Sequence, residues 1–209
     1  MKRVFLLRHG KAEAQTMEIM DPDRKLVAQG VEQVRRIAKF LRKKGYQPQR
    51  IISSPARRAH ETALLLAQAI DYPQALIQSQ VLLYSGEEHD LLTLIQNLPD
   101  ELETVMLVGH NPVFETAANR AVGGGDNHLA TGSVAILDFE IAHWRQAVLR
   151  TAHFAGIFAG KPKEAADGMV FAVALALEKA LEQQGLSLDL AKRQIVARQA
   201  ARLVNKLRR

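Results

Sequence analysis

The chain has 209 residues, 47% of them hydrophobic and 24% charged, an ordinary globular composition with room for one large domain or a domain plus an appendage. The apolar run at residues 169–177 is half of the roughly 18 residues a membrane span needs, and the absence of cysteine excludes disulfides, thiolate nucleophiles, iron–sulfur clusters and cysteine zinc sites. The net charge of +6 is uneven, with ten basic and five acidic residues in 161–209 against 18 and 17 in 1–160, so it says little about nucleic-acid or membrane binding by the main body.

Residues 4–7 read as a short buried strand ending in Arg8-His9-Gly10. They fall short of the roughly 7–15 apolar residues of a secretory signal, so a cytoplasmic location is expected. Residues 26–43 place Val31, Val34, Ile37, Ala38 and Leu41 at helical spacing, and Gly45 stops that helix. Residues 51–52 are a second strand, followed by Ser53-Ser54-Pro55 and a helix to about Ile70, with Ser54 as expected N-cap and Pro55 at the first helical position. Residues 90–98 read as helix and 105–108 as a third strand. Gly109-His110-Asn111-Pro112 then turns into a helix ending near Gly123-Gly124-Gly125. Residues 134–139 and 147–150 are expected strands, with the sheet ending there. After Lys161-Pro162, residues 165–184 and 188–209 read as two helices separated by Gly185. Alternating strands and helices predict a three-layer α/β/α fold on a mainly parallel sheet over residues 1–155, with a basic helical extension at 161–209.

Three strand ends carry groups suited to an oxyanion: Arg8-His9-Gly10, Ser53-Ser54-Pro55 with Arg57-Arg58, and Gly109-His110-Asn111-Pro112. Ligands of open parallel sheets bind beyond the carboxyl ends of the strands, so the three segments are expected to meet. Guanidinium forks match phosphate oxygens, and the helix starts that follow favour anions. A phosphoryl group fits this set better than a carboxylate, which needs less positive charge. Neutral imidazole is a competent nucleophile at phosphorus, and its ordinary pKa of about 6.5 leaves much of it uncharged near neutral pH. Gly10 is expected to let the backbone pass a bound group closely.

These motifs, with Ser54-Pro55-Ala56-Arg57-Arg58-Ala59-His60-Glu61-Thr62-Ala63 in full, resemble the histidine phosphatase (phosphoglycerate mutase-like) superfamily over about residues 1–150, and within it the phosphohistidine phosphatase SixA branch. The resemblance implies that His9 carries a phosphohistidine intermediate while Arg8, Arg58 and His110 bind the transferring phosphoryl group. It gives Arg57 a surface or supporting place and implies no cofactor and no metal. Family members that cleave phosphate esters carry a carboxylic acid between the second and third motifs. Here Val81-Leu82-Leu83-Tyr84-Ser85-Gly86 has none before Glu87 and Glu88. That gap favours a phosphoramidate such as protein phosphohistidine, because an imidazole can take a proton on its own ring. The alternatives are a small-molecule phosphomonoesterase or mutase with Glu87 or Glu88 swinging in as acid, and an inactive phosphate- or phosphoprotein-binding module.

Other features read as structural. His60, His89, His128, His143 and His153 lack comparable company, and His60-Glu61 lacks the second histidine of a zinc helix. Gly156 to Lys161 is one spacer short of a P-loop, with Pro162 where Ser or Thr is required. The Thr131-Gly132-Ser133 turn resembles a pocket-lining segment of the family. In the last helix Val196, Ala200, Leu203 and Leu207 form an apolar stripe beside a basic one of Arg198, Arg202, Lys206 and Arg209. That helix is expected to pack on the domain or on a second subunit, with an acidic partner, nucleic acid or anionic membrane surface as the sharper alternative.

Overall fold

A computed structural model of the chain describes residues 1–121, 123, 128–159, 176–177, 180–186, 192, 195–196 and 199–200. Among the described residues six strands form one sheet: β1 (Lys2–Arg8), β2 (Arg50–Ser53), β3 (Gln78–Ser79), β4 (Thr104–Gly109), β5 (Ser133–Phe139) and β6 (His153–Ala159). Their order is β3-β2-β4-β1-β5-β6. The pairings from β3 through β1 are parallel, whereas β5 runs antiparallel to both β1 and β6. Among the described residues up to Ala159, the α-helices that cover it are α1 (Ala28–Lys44), α2 (Arg57–Ala69), α3 (Leu82–Ser85), α4 (Glu88–Gln96) and α5 (Val113–Ala121). The α/β reading holds, with a mainly parallel sheet whose last two strands are paired antiparallel.

The strand at the centre shows why its sequence is a continuous apolar run. Val4, Phe5, Leu6 and Leu7 are all fully buried, because a parallel strand covered on both faces has no solvent side to mark with polar residues. Successive side chains take opposite faces. Val4 and Leu6 join Leu107, Leu137 and Phe114 under α4 and α5. Phe5 and Leu7 join Met106, Val108 and Ile136 under α1 and α2. Val31, Val34, Ile37 and Leu41 of α1 are fully buried on that second face, and truncating one such side chain to Ala typically costs about 2–5 kcal/mol. Gly45 ends α1 with φ of 68°, and Arg42, Lys43 and Lys44 occupy the last turn, where the helix dipole favours cations.

Three expectations are corrected. Helix α2 starts at Arg57 with Ala56 as its N-cap, not at Ser54-Pro55, because the Ser54 hydroxyl is engaged with Ala56 N–H and His110 instead. Residues 147–150 are not a strand: Leu149–Thr151 is a 3-10 turn that buries Leu149 in the core. The sheet ends on β6, whose pairing with β5 is interrupted by an irregularity near Gly156, a glycine with φ of 130°. A glycine inside a strand marks a bulge as readily as a loop.

The break at Lys161-Pro162, most of the two expected helices, Gly124-Gly125 and the basic stripe of Arg198, Arg202, Lys206 and Arg209 lie outside the described residues. Of the extension, Val196 and Ala200 are buried in a small cluster with Ala28, and Leu177 and Leu181 pack against it. Gly185, with φ of 76°, closes the helical turn before it through its N–H to Glu182 O.

Candidate active site

The register of the parallel strands brings the three loops together. Arg8 at the end of β1 is level with Gly109 of β4, and Ser53 of β2 is level with Val108. His9 N–H donates to Gly109 O at 3.0 Å and Ser54 N–H to Val108 O at 2.9 Å, extending the ladder into the loops. Arg8, His9, Arg58 and His110, all expected from the sequence, line one cavity of about 290 Å³.

His9 is 7% exposed. Its Nδ1 lies 2.7 Å from Gly10 O. A carbonyl only accepts, so Nδ1 carries the hydrogen and Nε2 keeps its lone pair. Arg58, 6% exposed, donates from Nε to that Nε2 at 3.3 Å. Burial pushes the His9 pKa down from 6.5 to about 3, against the Gly10 hydrogen bond, and the neighbouring His110, Arg58 and Arg8 lower it further. The ring is therefore neutral at physiological pH. His110 is likewise pushed down to about 3, by burial and then by Arg58, with Asp21 opposing and Arg8 and Arg24 adding to the depression. The two rings lie 5.0 Å apart between centroids.

His110 Nε2 is 2.9 Å from Ser54 Oγ, which already accepts the Ala56 N–H at 3.2 Å. The serine hydrogen is thus free to go to Nε2, leaving His110 Nδ1 as a buried donor with no acceptor among the described residues. Arg8 donates from Nη1 to Leu129 O at 2.8 Å, and its buried Nε has no acceptor among the described residues. Burial lowers the Arg8 pKa, Glu115 opposes that, and Arg58 adds to the lowering. Glu115 holds this wall together. Its carboxylate accepts from Asn111 Nδ2 at 2.8 Å and Leu129 N–H at 2.7 Å, and Asn111 Nδ2 also reaches Leu129 O at 3.0 Å.

Gly10 packs closely against the start of α1. A Cβ on it would lie 2.8 Å from Gly30 O, and a Cβ on Gly30 would lie 2.1 Å from Lys11 O, so the glycines let the His9 loop rest on the start of α1. Gly10 N–H is held by Thr62 Oγ1 at 3.0 Å, itself a donor to Arg58 O at 2.7 Å. Thr131 lines the cavity, and Gly132, with φ of 64°, donates its N–H to His9 O at 2.8 Å.

Arg57 stands half-exposed and paired with Glu61 at 2.9 Å. Glu87 caps α4 in a capping box with Asp90, and Glu88 pairs with Arg120 at 2.7 Å. Both carboxylates are thus engaged away from the cavity. His60 is exposed, His128 pairs with Glu115 and His143 with Asp100. Among the described residues no three His, Asp or Glu side chains group to hold a metal ion.

A carboxylate bonded directly to Arg58 is Asp21, which the sequence reading missed. Arg58 Nη1 donates to Asp21 O at 2.5 Å and Nη2 to Asp21 Oδ2 at 2.9 Å. Tyr84 OH donates to the same Oδ2 at 3.1 Å, and Arg24 Nη1 to Oδ1 at 2.8 Å. Burial opposes ionisation, but the Arg24 and Arg58 hydrogen bonds and the Arg58 charge outweigh it and hold the carboxyl at about 2. Nothing in the sequence Met20-Asp21-Pro22-Asp23 connects it to Arg58. Lys11 and Arg24 also line the cavity.

Comparison with known proteins places the fold and the family. The family description "Histidine phosphatase superfamily (branch 1)" matches residues 4–79. An uncharacterised chloroplastic protein of Arabidopsis thaliana is 30% identical over 155 residues, 70% of each chain. A crystal structure from Agrobacterium tumefaciens, provisionally named phosphohistidine phosphatase SixA, is similar with a TM-score of 0.64 and 28% identity over 76% of this chain and 97% of that one. The structure of the protein histidine phosphatase SixA complexed with tungstate shares the fold with the same TM-score and coverage at 21% identity. With its three motifs gathered around His9 at the strand ends, the chain belongs to the histidine phosphatase superfamily.

Proposed function

We propose that the protein is a phosphatase that passes the phosphoryl group through a covalent intermediate on His9, and that its substrate is a phosphohistidine, in a protein or peptide. Family membership and the SixA-like structures support a phosphatase. The phosphohistidine reading rests on one observation: the carboxylate bonded to Arg58 is Asp21, whose carboxyl at about 2 is ionised and has no proton to give. Departure of an alkoxide needs a proton donor in the transition state, whereas a phosphoimidazole protonated on its second ring nitrogen leaves as neutral imidazole.

The neutral Nε2 of His9 attacks phosphorus as the bond to the substrate nitrogen breaks, and the bonding pair returns to the departing ring. The phosphoryl group then sits on His9 Nε2, with Gly10 O holding the Nδ1 hydrogen. Water attacks phosphorus next, the pair returns to His9, and inorganic phosphate leaves. Arg8, Arg58 and His110 stabilise the charge spread over the phosphoryl oxygens, and preorganised donors of this kind are each worth about 10²–10³-fold in rate.

The test is a comparison of kcat/KM for a phosphohistidine peptide, 4-nitrophenyl phosphate and a sugar phosphate. The phosphohistidine is expected to be preferred at least about tenfold. A preference for either ester overturns the substrate assignment, and no turnover of any of them overturns the phosphatase reading.

A further inference from the structure

Arg58 bridges two groups that the proposed reaction treats differently. Its Nε touches His9 Nε2, where phosphorus must arrive, and its Nη1 and Nη2 hold Asp21 one guanidinium away. Asp21 belongs to a 3-10 turn, Asp21–Asp23, and its side chain keeps 31% of its surface exposed. Tyr84 connects this carboxylate to the other imidazole, with its hydroxyl on Asp21 Oδ2 and its ring edge-on to His110 at 5.6 Å between centroids. Beside Tyr84 and His110 opens a hollow of about 110 Å³, lined also by Leu82, Pro112 and Val113. A flat ring carried on the phosphoryl group finds apolar walls there, and the hydroxyl of Tyr84, one of the lining residues, bonds the Asp21 carboxylate.

An ionised carboxylate this close to a bound phosphoryl group is unfavourable by charge alone. It becomes favourable if the leaving group brings a positive N–H to it. We propose that Asp21 is the acceptor for the second ring N–H of a phosphoimidazole substrate, and that it selects phosphohistidine over phosphate esters by holding the leaving ring in its protonated form. The inference rests on the phosphohistidine reading and adds a residue that sets the leaving-group class. In balance, the P–N bond breaks, its electron pair goes to the departing nitrogen, and the proton stays on the other nitrogen beside Asp21, so neutral imidazole leaves with no acid required. The charged and titratable groups facing Asp21 are Arg24 and Asp23 of its own turn, Arg58 of α2, Tyr84 of α3 and His110 beyond it. A carboxylate beside a protonated imidazole raises its pKa above the ordinary value of about 6.5, so the alkaline limb of kcat should extend above neutral pH.

The experiment compares the wild-type chain with Asp21→Asn and Asp21→Glu on phosphoimidazole and on 4-nitrophenyl phosphate, from pH 5 to 9. Asp21→Asn is expected to lower the ratio of the two kcat/KM values about ten- to hundredfold, the range for losing one hydrogen bond to a charged group. It should also move the alkaline limb of kcat for phosphoimidazole to lower pH by about one unit. Asp21→Glu keeps a carboxylate and should retain that limb. Equal losses on both substrates would mean that Asp21 merely positions Arg58, and would overturn the proposal, as would an unmoved ratio or an unmoved limb. Failure of the wild-type chain on phosphoimidazole would instead remove the phosphohistidine reading beneath it, and is read without any variant.

Discussion

Acidification from pH 7 to 5 should destabilise the folded chain through His9 and His110 specifically. Burial, reinforced by the two arginines, pushes both imidazoles from 6.5 to about 3. Between those values the unfolded chain binds two protons that the native chain does not, so stability rises with pH across this window and is lost as pH falls from 6.5 toward 3. At pH 5 the cost is about 2 kcal/mol for each histidine and about 4 kcal/mol for the pair, against almost nothing at pH 7. Asp21 acts in a separate window, because its folded value of about 2 against 3.8 withdraws stability only below pH 3.8. Urea unfolding at pH 7, 6 and 5 of the wild-type chain and a His9→Gln/His110→Gln double variant measures the difference. The wild-type chain should lose about 4 kcal/mol more than the variant between pH 7 and 5. Parallel losses would refute the reasoning and mean that the imidazoles titrate near their ordinary value, leaving His9 partly charged when it must attack.

Arg58→Ala removes the donor on His9 Nε2 and is expected to lower kcat about 10²–10³-fold in single-turnover assays, and a loss under tenfold would contradict its role. Gly30→Ala drives a Cβ to 2.1 Å from Lys11 O; urea titration should show a loss of about 1–3 kcal/mol together with reduced activity, and an unshifted midpoint would mean that the His9 loop does not depend on this contact. Glu115→Ala leaves the Leu129 N–H and the Asn111 amide short of an acceptor. A destabilisation of about 1–3 kcal/mol is expected, with weaker binding of inorganic phosphate because Leu129 O anchors Arg8.

The parts of the fold and site that can be read from the sequence are those fixed by local chemistry. Residues 4–7 and 105–108 announce buried parallel strands because both faces are covered. Once they pair in parallel, the residues after them must share one edge of the sheet, which is why His9 and His110 could be placed together. Ser54 misleads because a helix-capping residue type is used in tertiary space, on His110. Gly10 points to a close approach but not to its partner, which is Gly30 of α1. Residues 147–150 have a strand-like composition, yet Leu149 sits in a 3-10 turn and is buried in the core with Phe114, Ala117 and Ala118 of α5. Asp21 carries no local mark at all: its importance comes from Arg58, 37 positions away, turning its guanidinium toward it.

Trapping of the phosphorylated enzyme tests the central claim most directly. Rapid quench of the chain with a radiolabelled phosphohistidine peptide, followed by mapping of the label, should give acid-labile, base-stable phosphate on His9, absent in His9→Ala together with turnover. Label on any other residue, or undiminished hydrolysis by His9→Ala, would contradict the account.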